Sequence, residues 1–395
     1  MPTPALKVNW RAAARIRHGH VWVYRSDLVV TDDFPPAALV RVQDEAGKFL
    51  GSALYSSSSQ IALRMVSGER LDAPQLLPLI AERLKQAISY REIVVRDSDA
   101  CRLVFSEGDF LPGLIVDRYH DVLSMQVLTQ AMDRADVREA VLSTLVEQLK
   151  PASIVEHVEP RIRVLEHLPP LEEGLRYGTQ TTTQFAMNGV RFHFDAFTGQ
   201  KTGAFLDQRE NYAAAATYAH GEALDLFCYQ GGFALHLARV CPHVTAVDSS
   251  RPALETAEQN EKLNAAANRG NEIEWIEGNA FDLLKDYSTA GKQYDTIVLD
   301  PPAFAKSRKS LPTAMRGYKE LNLRALKMLR PGGVLVTCSC SFHVSEEEFL
   351  EMLRSAAFDA RKTPRILERR GQAKDHPVLL AVPETAYLKC VILTV

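Results

Sequence analysis

The sequence predicts an α/β protein whose C-terminal domain is a doubly wound parallel sheet, preceded by a small β domain and an α+β middle domain. Three observations support this: short apolar segments between turn signals up to residue 72, a mixed strand and helix pattern over residues 73–176, and strict alternation of strands and helices from Glu222 onward. A chain of 395 residues is long enough for two or three domains, each with its own core.

The composition is that of an ordinary folded protein. Lys plus Arg number 46 against 49 Asp plus Glu, and 46% of the residues are hydrophobic, which excludes disordered and collagen-like chains. No apolar run reaches the roughly 18 residues of a membrane span, and the N-terminus lacks a secretory signal pattern, so we expect a cytoplasmic protein with no membrane partner. The six cysteines are scattered with no Cys-x-x-Cys pair, which predicts neither a disulfide framework nor a bound metal.

Positive charge is concentrated in two segments. Residues 1–25 contain five Lys or Arg residues and no acidic residue, and residues 306–330 contain eight against Glu320 alone. Because attraction to phosphate acts over about 10 Å, local basic segments in a mildly acidic chain indicate a polyanion-binding face. A solvated helix surface is the alternative for either segment.

The first two domains are predicted from their local patterns. In the first domain, residues 1–72, strands are expected at 39–42, 49–55 and 61–66, which indicates a small all-β module. The middle domain, residues 73–176, begins with a helix over 73–92 whose apolar residues recur at helical spacing. Strands at 101–106, 114–116 and 122–127 and a helix at 137–149 follow, as in an α+β domain.

The third domain, residues 177–395, opens with a hairpin over 177–194 whose turn is Asn188-Gly189. Strands at 223–228, 244–248, 273–278, 294–300 and 333–339 are separated by helix-length segments, which predicts parallel pairing and ligands at the carboxyl ends of the strands. A last strand over 387–395 is expected to complete the sheet.

Three successive strand ends carry the polar groups that an adenosine needs. Asp225 lies in the first strand, and its turn, LFCYQGG, contains Phe227, Tyr229 and Gly231; glycine there lets a ligand approach the backbone. Asp248 ends the second strand, where a carboxylate can hold both ribose hydroxyls, and Asn279-Ala280 follows the third, at the height of an adenine edge. The fingerprint G-x-G-x-x-G is absent, which disfavours a hydride-transfer enzyme.

These residues resemble the Rossmann-like S-adenosylmethionine-dependent methyltransferases, with LDLFCYQGGF as the first cofactor motif and DPPAF, residues 300–304, as the fourth. With FSEGDFLPGLIVDRY, GQKTGAFLDQRENY, DPPAFAKSRKS and PGGVLVTCSCS, nearly the whole chain is similar to the bacterial large-subunit ribosomal RNA cytosine C5-methyltransferases, which carry an N-terminal PUA domain. The resemblance implies S-adenosylmethionine as cofactor and 23S ribosomal RNA or a large-subunit precursor as partner. It leaves the oligomeric state open, with a homodimer as one option.

The resemblance also implies that the donor-rich segment 199–209 lies near the cofactor. Its candidates are Gln200, Lys201, Thr202, Gln208 and Arg209. From the residues alone, such a segment could hydrogen-bond a carboxylate, and Arg209 is the strongest candidate by charge.

A cysteine nucleophile is expected because C5 of a pyrimidine is a poor nucleophile until a thiolate adds at C6. Cys338 and Cys340 lie at the carboxyl end of the strand over 333–339, and alternation places both on one face. In related cytosine methyltransferases the motif ends Thr-Cys-Ser, and the position nearer the strand end favours Cys340, with Cys338 as the alternative. The place of a second cysteine in many such enzymes is held here by Pro302, so we infer a single-cysteine mechanism.

Asp300 can bond to N3 of the base and stabilise charge during addition. Pro301 and Pro302 lack amide donors, which leaves carbonyls of this turn free to accept from the exocyclic amine of cytosine, and Phe304 offers a stacking face. The basic segment that follows is expected to bind phosphates through Lys306, Arg308 and Arg316.

Other reactions share parts of this pattern. A uridine C5-methyltransferase would also use a cysteine at a strand end. Asp-Pro-Pro-Phe resembles the motif of adenine N6 enzymes, which methylate an exocyclic nitrogen without a cysteine. A non-catalytic RNA-binding protein on the same fold is the remaining alternative.

Overall fold

A computed structural model describes residues 3–29, 34–197, 203–266, 271–305 and 307–395 of the chain. The chain forms two compact units. The first unit takes in the residues up to Thr183, the described part of 195–203, and 374–385; the second takes in 184–194, 204–373 and 386–395.

The first unit begins with a five-stranded sheet of order β1-β3-β4-β5-β2. The strands β3, β4 and β5 confirm the three that the sequence predicts. The helix α1 corrects the expectation of an all-β module: the Asn9 side chain accepts from the amide of Ala12 at 2.9 Å and caps it, and Ala12 and Ala13 are buried. The elements are β1 (Ala5–Lys7), α1 (Trp10–Arg17), β2 (Trp22–Tyr24), β3 (Leu39–Gln43), β4 (Phe49–Tyr55) and β5 (Ile61–Ser67).

A second five-stranded sheet in the same unit has the order β10-β9-β8-β7-β6. The helix α2 begins at a capping box formed by Asp72 and Gln75 and contacts α3. The division between the first and middle domains at residue 72 stays a prediction. The elements are α2 (Ala73–Val94), β6 (Ala100–Phe105), β7 (Leu114–Tyr119), β8 (Val122–Val127), α3 (Ala135–Leu149), β9 (Ser153–Glu156), α4 (Pro160–Leu165) and β10 (Gly174–Gly178).

A hairpin with the predicted turn is present as β11 (Thr182–Met187) and β12 (Val190–Asp195), joined at Asn188 and Gly189. It begins later than predicted, because Tyr177 belongs to β10 of the preceding sheet. Both turn residues have positive φ, 52° and 77°, which a two-residue hairpin turn of this kind requires.

The second unit alternates strands and helices as predicted. Its further elements are α5 (Arg209–Tyr218), β13 (Glu222–Leu226), α6 (Gly232–Leu237), β14 (His243–Asp248), α7 (Arg251–Asn264), β15 (Glu272–Glu277), α8 (Ala280–Thr289), β16 (Tyr294–Leu299), α9 (Leu311–Met328), β17 (Leu329–Ser339), α10 (Glu346–Asp359), β18 (Arg365–Arg370) and β19 (Lys389–Thr394).

These strands form a seven-stranded sheet of order β15-β14-β13-β16-β17-β19-β18, which confirms the doubly wound architecture. The first five strands in this order are parallel, and Leu226 lies opposite both Val247 and Leu299, so their carboxyl ends share one edge. The expected last strand joins the sheet as β19, which lies antiparallel between β17 and β18. The edge strand β18 was missed because its sequence, RILERR, is mostly charged and exposed.

One face of this sheet is covered by three consecutive helices. The helix α8 contacts α9, and α9 contacts α10. Tyr318 of α9 and Phe349 of α10 are fully buried in one hydrophobic cluster that also contains Leu335 of β17. Within the described residues, none of the helices has both the length and the apolar character needed to cross a bilayer.

Candidate active site

Asp225 is a buried carboxylate near the carboxyl end of β13. One carboxyl oxygen accepts from the amide of Ala234 in α6 at 2.9 Å, and the other has no hydrogen-bond partner in the described structure. Burial, together with the charge of Asp300, raises the pKa of Asp225 well above its usual 3.8. A cationic ligand group beside the unpartnered oxygen would offset this cost.

The turn after β13 is bound to the end of β14. The amides of Phe227 and Cys228 donate to the Val247 carbonyl at 2.9 and 3.1 Å, and the amide of Tyr229 donates to the Asp248 carboxylate at 2.9 Å. Phe227 and Tyr229 both have positive φ, 67° and 50°, so the turn holds two side-chain-bearing residues in the left-handed region.

The glycines of this turn lie against aromatic rings of the protein. A Cβ added at Gly231 would lie 2.8 Å from the Trp275 ring, and one added at Gly232 would lie 2.5 Å from the Tyr212 ring. Gly231 also has a φ of 85°. The absent side chains therefore make room for aromatic rings of the protein at these two positions, and the expected approach of a ligand to this backbone stays a prediction.

The second and third strand ends are neighbours. The Asp248 carboxylate also accepts from the amide of Ser250 at 2.9 Å, and the Asp248 carbonyl accepts from the amide of Gly278 at 2.9 Å. Asn279 is exposed, and its side chain caps α8 by accepting from the amide of Phe281, while Ala280 is buried. Asp225, the turn and Asp248 are thus brought together, with Asn279 beside them.

Gln208 reaches the fourth strand end. Its side-chain amide donates to the Asp300 carboxylate at 2.9 Å, and its carbonyl oxygen accepts from Asn211 at 2.7 Å. The Arg209 guanidinium is buried and lies 3.5 Å from the Glu210 carboxylate. Lys201, with Gln200 and Thr202, lies outside the described residues.

Asp300 follows β16 and has an unusually basic carboxylate. Burial and the nearby charge of Asp207 raise its pKa from 3.8 to about 7, while the hydrogen bond from Gln208 lowers it. Asp207 was not singled out in the sequence, and its carboxylate accepts from the Tyr387 hydroxyl at 2.6 Å. Because Tyr387 lies 180 residues further along the chain, no local pattern pairs them.

The structure distinguishes the two candidate thiols. Cys338 lies within β17, opposite Cys390 of β19, and is fully buried. Because β17 ends at Ser339, strand alternation does not extend to Cys340, which is partly exposed with its Sγ 3.9 Å from the Pro301 carbonyl oxygen. Burial and the charges of Asp300 and Asp207 raise the pKa of Cys340 to about 12, and Lys389 opposes this shift.

The segment after Cys340 is held by polar contacts from two sides. The Ser341 hydroxyl accepts from the amide of Ala305 at 3.1 Å and lies 2.9 Å from the Tyr318 hydroxyl. Ser341 itself is fully buried. The loops after β16 and β17 are therefore joined to each other and to α9.

The aromatic residues near the thiol differ in exposure. Phe304 is half-buried, with its ring centroid 4.7 Å from that of Tyr318 and 5.8 Å from that of Phe281. Phe342, two residues after Cys340, is 54% exposed and makes an edge contact with His343. Phe342 is not among the residues predicted for the site from the sequence, although its position directly after TCSCS is a usable signal.

Ion pairs neutralise part of the predicted basic surface. Lys319 pairs with Asp359, Arg324 with Glu320 and Arg330 with Asp295, at 2.5–2.7 Å. Arg308 and Arg316 are exposed and have no ion pair within the described ranges, while Lys306 lies outside them. In the N-terminal segment, Arg15 pairs with Asp27 and Arg17 with Asp44. Fewer basic side chains are therefore available to bind phosphate than the sequence indicates.

Comparisons with known proteins agree on one class. A family model described as S-adenosylmethionine-dependent methyltransferase matches residues 108–392, and one described as a PUA-like domain matches residues 6–68. Proteins named ribosomal RNA large subunit methyltransferase I are similar: that of Pseudoalteromonas translucida is 35% identical, covering 95% of each chain, and that of Tolumonas auensis is 37% identical, covering 94% of each.

Two solved structures share the fold over the full length of both chains. One is described as a methyltransferase in complex with SAH, with a TM-score of 0.83 and 19% identity. The other is described as a SAM-dependent methyltransferase from Streptococcus mutans, with a TM-score of 0.82 and 18% identity.

Asp300→Asn should stabilise the ligand-free protein at alkaline pH. With a folded pKa near 7 against 3.8, wild type loses stability as pH rises from about 4 through 7, because the unfolded carboxyl ionises more easily than the buried one. Asparagine keeps an oxygen for Gln208 and carries no charge. In urea unfolding at pH 8 we expect the variant to gain about 1–4 kcal/mol over wild type, an advantage absent near pH 4. An advantage of equal size at both pH values would contradict the assignment.

Proposed function

The chain belongs to the S-adenosylmethionine-dependent methyltransferases that carry a PUA-like domain, in the family of ribosomal RNA large subunit methyltransferase I, and on this premise we propose that it methylates C5 of a cytosine in 23S ribosomal RNA. The observation that carries the proposal is the position of Cys340. Its thiol lies beyond the end of β17, 3.9 Å from the Pro301 carbonyl, and within electrostatic range of Asp300.

The residues at the strand ends fit the cofactor of the family. When bound, S-adenosylmethionine supplies an electrophilic methyl group on a positively charged sulfur. The unpartnered oxygen of Asp225 suits the cationic amino group of such a ligand, and the acidic surroundings, Asp207, Asp248 and Asp300, suit its overall positive charge. Asp248 remains able to accept ribose hydroxyls, because each carboxylate oxygen has more than one lone pair.

Asp300 is suited to bind the N3 edge of cytosine. With a pKa of about 7, roughly half of the Asp300 side chains carry a proton at neutral pH, and the protonated form can donate to N3. The ionised form is close to Cys340 and can take the thiol proton. One carboxyl group can therefore move a proton from sulfur to N3.

The covalent scheme follows from this transfer. The Cys340 sulfur bonds to C6, electron density moves toward C5 and N3, and Asp300 gives its proton to N3. C5 then accepts the methyl group. The C5 proton leaves to a carboxylate, and Asp207 and Asp300 are the candidates because the charges of both act on Cys340. The bond from C6 to sulfur breaks and restores the C5–C6 double bond. The N3 proton returns to the departing thiolate, so that Cys340 is again a thiol, and the carboxylate releases the C5 proton to water.

The groups around the Cys340 thiol are suited to bind a nucleobase of RNA. The Pro301 carbonyl and its neighbour can accept from the exocyclic amine of cytosine, and the exposed ring of Phe342 can stack on the target base or the next one. Phe304 was the predicted stacking residue, but much of its ring already packs against Tyr318 and Phe281. Arg308 and Arg316 are suited to bind phosphates beside the target.

The single-cysteine mechanism is tested with Cys340→Ala and Cys338→Ala. Large-subunit RNA from cells lacking the protein is incubated with each variant and labelled cofactor, and the nucleosides are separated after digestion. Wild type should form 5-methylcytidine, Cys340→Ala should lose more than about a thousandfold in rate, and Cys338→Ala should stay within about tenfold of wild type. Full activity of Cys340→Ala would contradict the covalent scheme. Formation of 5-methyluridine or an N-methylated nucleoside would contradict the proposed product.

The stacking role is tested with Phe342→Ala. Loss of one stacked base contact of about 1–3 kcal/mol should lower kcat/KM for RNA by about 5- to 150-fold. Because Phe342 is half exposed, the thermal midpoint should change little. Phe358→Ala is the matched control, since Phe358 is 82% exposed in the same unit and should leave kcat/KM unchanged. Equal kcat/KM values for the two variants would contradict this role.

A further inference from the structure

Lys389 is a buried lysine beside the candidate nucleophile. It lies opposite Ser339 in the β17–β19 pair, and only 9% of its surface is exposed. Its Nζ donates to the carbonyl oxygens of Ser341 and Tyr387, each at 2.7 Å. Over the described ranges, no carboxylate lies within ion-pair distance of this ammonium.

A lysine in this position lowers the stability of the folded protein. Burial lowers its pKa from 10.5 to about 8, and a buried ammonium without a carboxylate partner costs free energy that an apolar side chain of similar length would not. Cys340 and Glu348 are the groups that favour its charged form. The two neutral carbonyl oxygens that Lys389 binds offset only part of this cost, which indicates that the charge has a role.

The groups around the Cys340 thiol are mostly unfavourable to a thiolate. Asp300 after β16 and Asp207 before α5 raise its pKa, and the Tyr318 hydroxyl of α9 is a further acidic group in range. Glu348 of α10 acts on Lys389, and the charge of Arg308 acts on Glu348. Among the described groups that shift the pKa of Cys340, Lys389 is the single cation.

We propose that Lys389 is a positioning residue that fixes the Cys340–Ser341 turn and supplies the positive charge that stabilises the Cys340 thiolate. The role in methyl transfer rests on the proposed function, whereas the effect on the thiol does not. On ionisation the thiol proton leaves to Asp300 or to water. The Lys389 ammonium then balances the negative charge on sulfur. It is held nearby because it donates to the carbonyl of Ser341, the residue next to Cys340. Cysteines beside lysine side chains are known to be more acidic for this reason.

The effect is measured by alkylation of Cys340 with iodoacetamide in the full-length protein, without RNA or cofactor. The rate is followed from pH 7 to 10 by mass spectrometry of the Cys340 peptide. Lys389→Met and Lys389→Gln both remove the charge, and glutamine keeps a donor for the Ser341 carbonyl. At pH 7.5 we expect both to react about tenfold more slowly than wild type, which corresponds to a rise of about one unit in the pKa of the thiol. Lys389→Arg should react within about threefold of wild type.

The pH profile separates a charge from a packing effect. Because Lys389 loses its proton above pH 8, the advantage of wild type over the neutral variants should narrow between pH 8 and 10. In wild type alone, the logarithm of the rate should rise by less than one per pH unit above pH 8. A slope of one through pH 10 would overturn the proposal even where a variant fails to fold.

Lys362→Met is the matched control. Lys362 is a half-buried lysine of the same unit, and its Nζ donates to the carbonyl of Leu329, at the opposite end of β17 from Cys340. This variant should alkylate at the wild-type rate. Equal alkylation rates for wild type and folded Lys389→Gln at every pH would overturn the proposal about Lys389, and the methylation experiments would be unaffected. Full methylation activity in Cys340→Ala would overturn the proposed function, and the alkylation result would remain valid.

Discussion

The parallel pairing of β16 with β17 is the constraint on which the site depends. Leu299 lies opposite Thr337, so the chain leaves both strands at one edge of the sheet, with Asp300 on one side and Cys340 on the other. Buried Ser341 then joins the two loops by accepting from the amide of Ala305, while its carbonyl accepts from Lys389. Since each of these polar groups is buried and partnered, moving the thiol away from Asp300 would break several hydrogen bonds at about 1–3 kcal/mol each.

The electrostatics of the site favour a cation and oppose a thiolate. Burial and the charge of Asp300 raise the pKa of Asp225, and burial and the charge of Asp207 raise that of Asp300. Burial and the charges of Asp300 and Asp207 raise the pKa of Cys340 to about 12. A cation bound among them lowers all these pKa values together, because it favours each ionised form. The site is therefore expected to become more reactive when a positively charged ligand is present, and among the described residues Lys389 is a fixed cation that already acts in this direction.

Much of the architecture follows from local pattern, because strand ends in a parallel sheet meet at one edge. That rule placed Asp225, Asp248 and Asp300 together from the sequence alone. It did not decide between Cys338 and Cys340, because the decision depends on β17 ending at Ser339, one residue before the second thiol. Asp207 and Lys389 were missed for another reason: Asp207 contacts Tyr387, and Lys389 lies opposite Ser339 in the antiparallel β17–β19 pair. Such long-range contacts leave no periodic signal in the sequence. The glycine turn was found, whereas the packing of the Trp275 and Tyr212 rings against its glycines was not, because both rings are distant from the turn in sequence.

The central claim is that the Cys340 sulfur bonds to the target cytosine, and a trapped adduct tests it most directly. Large-subunit RNA containing 5-fluorocytidine is incubated with the protein and S-adenosylmethionine, and the cross-linked peptide is sequenced by mass spectrometry. Fluorine at C5 cannot leave as a proton does, so the bond from sulfur to C6 should persist. The account predicts one nucleotide attached to Cys340, in cofactor-dependent fashion. A cross-link at Cys338, or a methylated fluorocytidine released with no adduct at any stage, would contradict it.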